Sequence, residues 1–342
     1  ALVQQRQREA RRWRFLAVFI VLIVITLLLD IATGPSQLPL LDVVHTLWSP
    51  ANTDAMTRTI VIEMRLPIAL MALVVGASLG LGGAQMQTLL DNPLASPFTL
   101  GIAAAAGFGA ALALVMSSYL GLHSIFSIPV GAFLFSMLAA SLLFGLALMR
   151  NVSSQTIILA GIALLFLFQS LLSLLQFVSS PELNQQIVFW LFGSLMRTTW
   201  QTLTITTVVT LVCAVLLYRD AWKLTCLRLG EARARSLGVN INRLRIKTLV
   251  LVALMTATAI SFVGIIGFVG LVAPHIGRML IGEDQRFLIP LSALCGAAML
   301  SVSSVISKSI VPGALFPIGI VKAIIGVPFF IWLILGRGRK HA

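Results

Sequence analysis

The sequence predicts an all-α polytopic membrane protein of ten transmembrane helices with both termini cytoplasmic, and three observations predict it. Of 342 residues, 58% are hydrophobic and only 10% charged. A soluble domain carries about 25% charged residues, and so few charges could not cover a water-facing surface. Apolar runs of roughly 20 residues recur, the length that crosses a ~30 Å hydrocarbon core as a helix. They are continuous rather than alternating, which excludes a transmembrane barrel. The basic residues also fall mostly on one side of these runs, as the positive-inside rule requires.

The elements follow in order. The first run, 15–32, comes after "QQRQREARRWR". It is too long for a signal-peptide core and no A-x-A site follows, so it reads as a retained first span. Further spans are expected at 60–83, 98–118, 124–149, 155–178 and 200–218. The apolar stretch 248–277 is too long for one helix. Gly264, Gly267 and Gly270, then Pro274, break it into spans at 246–263 and 264–281. The last two are expected at 287–307 and 318–335. Residues 33–59 form a long outer connection, and 179–199 holds a short surface helix. Residues 219–245 form a cytoplasmic loop.

Charge tests this order. Arg6, Arg8, Arg11, Arg12 and Arg14, Arg150, the basic residues of 219–247, Arg278, Arg286, Arg337, Arg339 and Lys340 fall inside. Only Arg58, Arg65, Arg197, Lys308 and Lys322 fall outside. The net charge of +13 is then a matter of topology and of anionic membrane lipid, and no nucleic acid is needed. Spans 2–5 and 7–10 each open with a Gly-rich apolar helix. An offset of five spans turns the second unit upside down, the inverted repeat common in transporters.

No catalytic constellation is visible. Cys213, Cys226 and Cys295 show no paired spacing, and His45, His123, His275 and His341 form no ligand pair, so no metal site is expected. Eleven acidic residues fall almost entirely in loops, with only Asp30 and Glu63 near span ends, whereas an ion-driven transporter needs carboxylates within its spans. "LRIKT" (244–248) has Lys-Thr without the glycines of a phosphate loop. If ATP drives this protein, another chain binds it. Within 219–245, "LGEARARSLGV" reads as a short helix from Glu231 to Leu237 that stops at Gly238. Seven helical residues are not stable alone and need a partner surface.

Four ordered stretches carry a resemblance: "RLPIALMALVVGASLGLGGAQMQTLLDNPLASPFTLGI" (65–102), "LGEARARSLGV" (229–239), "GFVGLVAPHIGRMLIGEDQRFLIP" (267–290) and "FPIGIVKAIIGVPFFIWLIL" (316–335). Together they resemble the permease subunits of type II ABC importers, the iron-siderophore and cobalamin uptake family. The resemblance implies a multi-pass permease in the cytoplasmic membrane of a bacterium. It implies a second permease subunit, identical or paralogous, two ATPase subunits that use ATP and Mg, and a periplasmic or lipoprotein substrate-binding protein. The permease itself then has no catalytic site and binds no cofactor. The implied cargo is a ferric siderophore, with cobalamin or haem as alternatives. A secondary transporter and a membrane-anchor subunit remain as readings of another class.

The resemblance also assigns residues. Gly230, Glu231, Ala232, Arg233, Ala234, Arg235, Leu237 and Gly238 match the coupling helix that enters the ATPase. Arg65 and Lys308 match the outer cations that receive carboxylates of the binding protein. The family's second arginine, three residues on, is Ile68 here, so that contact is either missing or moved to Arg58. Ser154 and Gln155, in "RNVSSQTIILAG" (150–161), take the cytoplasmic gate positions, where Ser153 or Ser154 also caps span 5. Spans 5 and 10 line the family's path, where span 5 offers Gln169, Ser173 and Gln176 and span 10 offers Lys322, at a position more often neutral in the family. Lys322 lies about 6 Å inside the outer end of its helix, so it either lines the outer mouth or snorkels to water.

Overall fold

The computed structural model describes residues 2–36, 38–121, 127–149, 153–310 and 316–338. All regular structure among them is helical. The first half holds α1 (Leu2–Ala32), α2 (Leu40–Trp48), α3 (Ala55–Arg58), a π-helical stretch (Thr59–Arg65), α4 (Leu66–Leu89), α5 (Ile102–Leu120), α6 (Ser127–Leu148) and α7 (Ser154–Val178). There follow α8 (Pro181–Leu191), α9 (Trp200–Tyr218), α10 (Ala221–Leu227), α11 (Glu231–Ser236), α12 (Ile241–Val263), α13 (Val269–Ile281), α14 (Gln285–Ser309) and α15 (Ile318–Gly338). Among the described residues, eight helices are long and apolar enough to span a membrane, and α13 and the first part of α15 are shorter apolar helices.

Most expected spans reappear within a few residues, and α8 is the expected surface helix. The eighth does not. Residues 264–268 are not helical, and α13 runs for 13 residues, about 20 Å. Gly264 (φ 79°) and Phe268 (φ 64°) turn the chain through left-handed backbone on either side of the break. Non-helical backbone at membrane depth survives only where protein covers it. Here Gly264 and Ile266 are buried, and the Ser194 amide donates to the carbonyl of Val263. The cytoplasmic loop is also more ordered than expected, holding α10 and α11. Arg150, Arg339, Lys340 and His123 lie outside the described residues, as does the Arg337 side chain.

The packing follows the repeat. Helix α4 crosses α14 as α12 crosses α6. Helix α5 pairs with α6 as α13 pairs with α14, and α4 touches α13 as α12 touches α5. The crossings depend on missing side chains. A Cβ on Gly76 would fall 2.3 Å from the Gly296 carbonyl oxygen, and one on Gly83 would fall 1.7 Å from that of Gly270. Without a hydrophobic drive between helices in lipid, such close approach supplies the packing that holds a bundle together. The repeat-related α5 and α13 both begin inside the bundle after irregular backbone. Their starts meet where Ser96, Phe98, Gly267 and Phe268 line one small cavity.

Two ends are distinct. At one, Arg12 pairs with Asp284 and Arg228 with Asp91 and Glu283. At the other, Arg65 and Lys308 meet the C-terminal end of α1. The first end carries the many basic residues of 219–247, so it is the cytoplasmic one.

Candidate functional site

The cytoplasmic end presents α11 on a compact platform. Gly230 enters it at φ 100°, ψ 150°, a region open essentially to glycine. Leu237 caps its end and Gly238 follows at φ 82°. The Val239 amide donates to the Ala234 carbonyl and the Gly238 amide to that of Arg235, a Schellman stop. Ala234 is buried beneath the helix, whereas Glu231, Ala232, Arg233, Arg235, Leu237 and Gly238 are exposed. Trp222, Leu229 and Leu237 add large apolar side chains to this surface.

Ion pairs fix the platform to the spans. Arg245, buried at the start of α12, reaches Glu231 at 3.0 Å, and Arg235 reaches the other oxygen of Glu231 at 3.2 Å. Asp220 accepts from Lys223 at 2.7 Å and from Lys247. Burial works to raise the Asp220 pKa, but the hydrogen bonds and charges of the two lysines outweigh it and hold the carboxyl below its ordinary value. Arg228 joins Asp91, at the end of α4, to Glu283, at 3.2 Å from the latter. Glu283 also accepts from Arg278 of α13 at 3.2 Å. Arg278 in turn donates to Gln87, and Gln285 donates to Thr88 at 3.1 Å. A continuous polar chain thus runs from the segment before α11 to the half-length helix α13.

Ser154 and Gln155 fall beside this chain. They line a cavity of about 410 Å³ with Thr88, Asp91, Arg228, Gly230 and Glu231. Ser153, not Ser154, caps α7, its hydroxyl accepting from the Thr156 amide at 3.2 Å. The expected gate positions and coupling residues therefore share one cavity. Asp91 lines it, and Glu283 and Arg278 lie behind it through Arg228; the sequence singled out none of the three as site residues.

The outer end redistributes the expected docking cations. Arg65 is 7% exposed. It donates to the carbonyls of Ile31 (2.9 Å) and Ala32 (3.0 Å), to the Ser36 hydroxyl (2.9 Å) and to the Ser36 carbonyl. It thereby satisfies the orphan carbonyls that end α1. The π-helical stretch delivers it there, closing with the Leu66 amide on the Val61 carbonyl. Lys308 donates to the Asp30 carboxylate at 2.7 Å, and Asp30 is fully buried. Both cations are engaged inside the fold. The exposed outer arginines are Arg58 and Arg197. Arg197 borders a recess of about 330 Å³ shared with Gln186, Trp190, Ser304, Ser307 and Lys308. The sequence placed Arg197 outside but gave no reason to single it out.

On α7, Phe168 is buried and Gly161 sits against Leu100. The opposite face is bare: Ile162, Phe166, Gln169, Ser173 and Phe177 are exposed, and Gln176 is half-buried. Lys322 lies elsewhere. It is 2% exposed, so it does not snorkel. It borders a cavity with Phe19, Ile276, Cys295 and Ser303 rather than the bare face of α7.

The comparisons agree with this architecture. Residues 22–336 match the FecCD transport family. The hemin transport system permease of Yersinia pestis is 36% identical over 92% of this chain and 95% of its own length. An iron chelatin transport system permease of Helicobacter pylori is 37% identical over 80% of this chain and 82% of its own. Permeases named for vitamin B12 import in Vibrio vulnificus and molybdate import in Haemophilus influenzae are 32% and 34% identical, over 85% and 90% of this chain. Among solved structures, a metal-chelate type ABC transporter in an inward-facing conformation superposes with a TM-score of 0.82 at 32% identity, covering 95% of this chain and 99% of that one. The chain belongs to the FecCD transport family and is a multi-pass permease subunit of an ABC transporter of the cytoplasmic membrane.

Proposed function

We propose that this permease imports a ferric siderophore, received from a substrate-binding protein and driven by two ATPase subunits that use ATP and Mg. The observation that carries the cargo reading is the bare face of α7. Gln169, Ser173 and Gln176 punctuate an apolar stripe without a single charge. Such a wall suits a bulky chelate that already enfolds its metal. A bare ion needs carboxylates or carbonyls along its route. A second permease copy, identical or paralogous, covers this face and completes the path, with Ser154 and Gln155 at its cytoplasmic exit.

The outer arginines support an anionic cargo delivered by an acidic docking partner. Arg58 and Arg197 are free to meet carboxylates, while Arg65 and Lys308 hold the surface that presents them. Charge pairs of this kind orient and speed docking more than they tighten it. At the other end, α11 offers the ATPase an exposed apolar and basic surface around Arg233, Arg235 and Leu237. The relatives named for hemin and iron chelatin support the chelate class. Haem is the second reading, favoured by the Yersinia pestis relative.

Uptake by cells expressing the permease with its ATPase and binding protein tests the cargo. Radiolabelled ferric hydroxamate and ferric catecholate, haem, cyanocobalamin and molybdate serve as probes. Accumulation of a ferric siderophore above cells lacking the permease is expected. Accumulation of cobalamin or molybdate alone would overturn the reading.

A further inference from the structure

Lys322 has no counter-charge among the described residues. Its Nζ is buried without a hydrogen-bond partner among the described residues. All eleven Asp and Glu residues of the sequence are described, and none of their side chains pairs with it. Asp30, a buried acid at that end of the bundle, has its charge matched by the Lys308 ammonium, with Lys308 and Ser304 both on Oδ1 and Oδ2 buried without a partner among the described residues. A polar head left unsatisfied among apolar side chains is unfavourable whether charged or neutral.

The surroundings offer room for a partner. Lys322 borders a cavity of about 240 Å³ between α1, α13, α14 and α15. The Ser307 hydroxyl donates to the Phe316 carbonyl, fixing the antiparallel start of α15 on the end of α14. Lys322 therefore stands near Ser303, toward the outer end. From Ser303 the lining continues along α14 to Cys295, about 12 Å deeper, and then to Ile276. The walls are apolar, and Leu22, Val302 and Ile325 are exposed on the lateral face where lipid tails lie. One cation at the outer end of an apolar slot is the complement of one anion on an acyl chain.

We propose that this cavity holds an acyl-chain amphiphile with a single anionic head, a carboxylate or a phosphate. The head sits on the Lys322 ammonium and the chain runs past Val302 toward Cys295. The ligand supplies the charge that the fold lacks and ties α15 to α1 and α14.

Thermal unfolding and native mass spectrometry of the purified full-length chain in a nonionic detergent test this. The probes are oleate, dioleoyl phosphatidylglycerol, oleyl alcohol and dioleoyl phosphatidylethanolamine. The anionic probes are expected to raise the unfolding temperature and remain bound. The uncharged alcohol and the zwitterionic lipid are expected to do neither. A response to oleate alone identifies a fatty acid, and one to phosphatidylglycerol alone a phospholipid head. Lys322→Met should weaken the effect about tenfold or more, the loss of a hydrogen-bonded charge contact. Val302→Trp, which fills the slot and leaves the lysine, should block it too. An unchanged response in both variants, or no anionic ligand bound by the unaltered chain, would overturn the proposal.

Discussion

The Lys308 ammonium stands 2.7 Å from the Asp30 carboxylate, which has no solvent exposure. The pair joins the end of α14 to the end of α1, and Ser304 donates to the same carboxylate oxygen at 2.8 Å. Removing one member of a buried pair strands the other at a cost of about 3–5 kcal/mol, whereas removing both costs less. Lys308→Met should therefore lower the unfolding temperature strongly, and Asp30→Asn combined with Lys308→Met should recover much of the loss. Scanning fluorimetry in detergent measures both. A double variant that loses as much as Lys308→Met and Asp30→Asn summed would show that the pair is not coupled.

Stability and docking separate at the outer face. Arg65→Ala leaves the last carbonyls of α1 uncapped and should destabilise the chain. Arg58 and Arg197 are exposed and make no side-chain hydrogen bond or ion pair among the described residues, so Arg58→Glu and Arg197→Glu should leave thermal stability unchanged. Both should slow association with the binding protein, more so at low ionic strength. Stopped-flow association with the purified binding protein distinguishes the two classes.

The coupling helix tests through its glycine. Gly230→Ala places a side chain at φ 100°, ψ 150°, a strain of order 1–3 kcal/mol. Because α11 has six residues, this is enough to unseat it. The ATPase should co-purify poorly with Gly230→Ala, while the spans unfold at an unchanged temperature.

The chain of contacts from Asp91 through Arg228 and Glu283 to Arg278 gives a coupling prediction. Exposed pairs contribute little stability, so breaking them should act on function instead. Glu283→Gln should lower transport per ATP hydrolysed in proteoliposomes. Arg228→Gln should lower it likewise, and the double variant should lose less than the two single losses summed, as residues of one network do.

Asp220 gives a pH dependence. Its folded-state pKa lies below the unfolded value near 3.9. Its contribution is complete above that unfolded value and is lost as pH falls through the folded one. Asp220→Asn should flatten the acid limb of the stability profile between pH 5 and lower values, with little slope change at pH 7.

Much of this architecture was legible because membrane spans are set by local composition. Run length placed α5, α7, α9 and α14, and the Leu237–Gly238 stop gave α11. The misses arise from long-range relations. The 248–277 stretch carries the hydropathy of two spans, yet Phe268 takes left-handed backbone and shortens the second to a half-length helix. Arg65 and Lys308 read as exposed outer cations because their acceptors, Ile31, Ala32 and Asp30, belong to α1, far away in sequence. Lys322 read as a mouth or surface residue because position along a helix is legible and the facing neighbours are not.

The most direct measurement is uptake of radiolabelled ferric siderophore into proteoliposomes that contain the permease, its ATPase and the binding protein, with ATP and Mg enclosed. Accumulation should require ATP and the binding protein, and should fall when Gly230→Ala releases the ATPase. Accumulation without ATP, driven by an ion gradient alone, would contradict ATP-driven import.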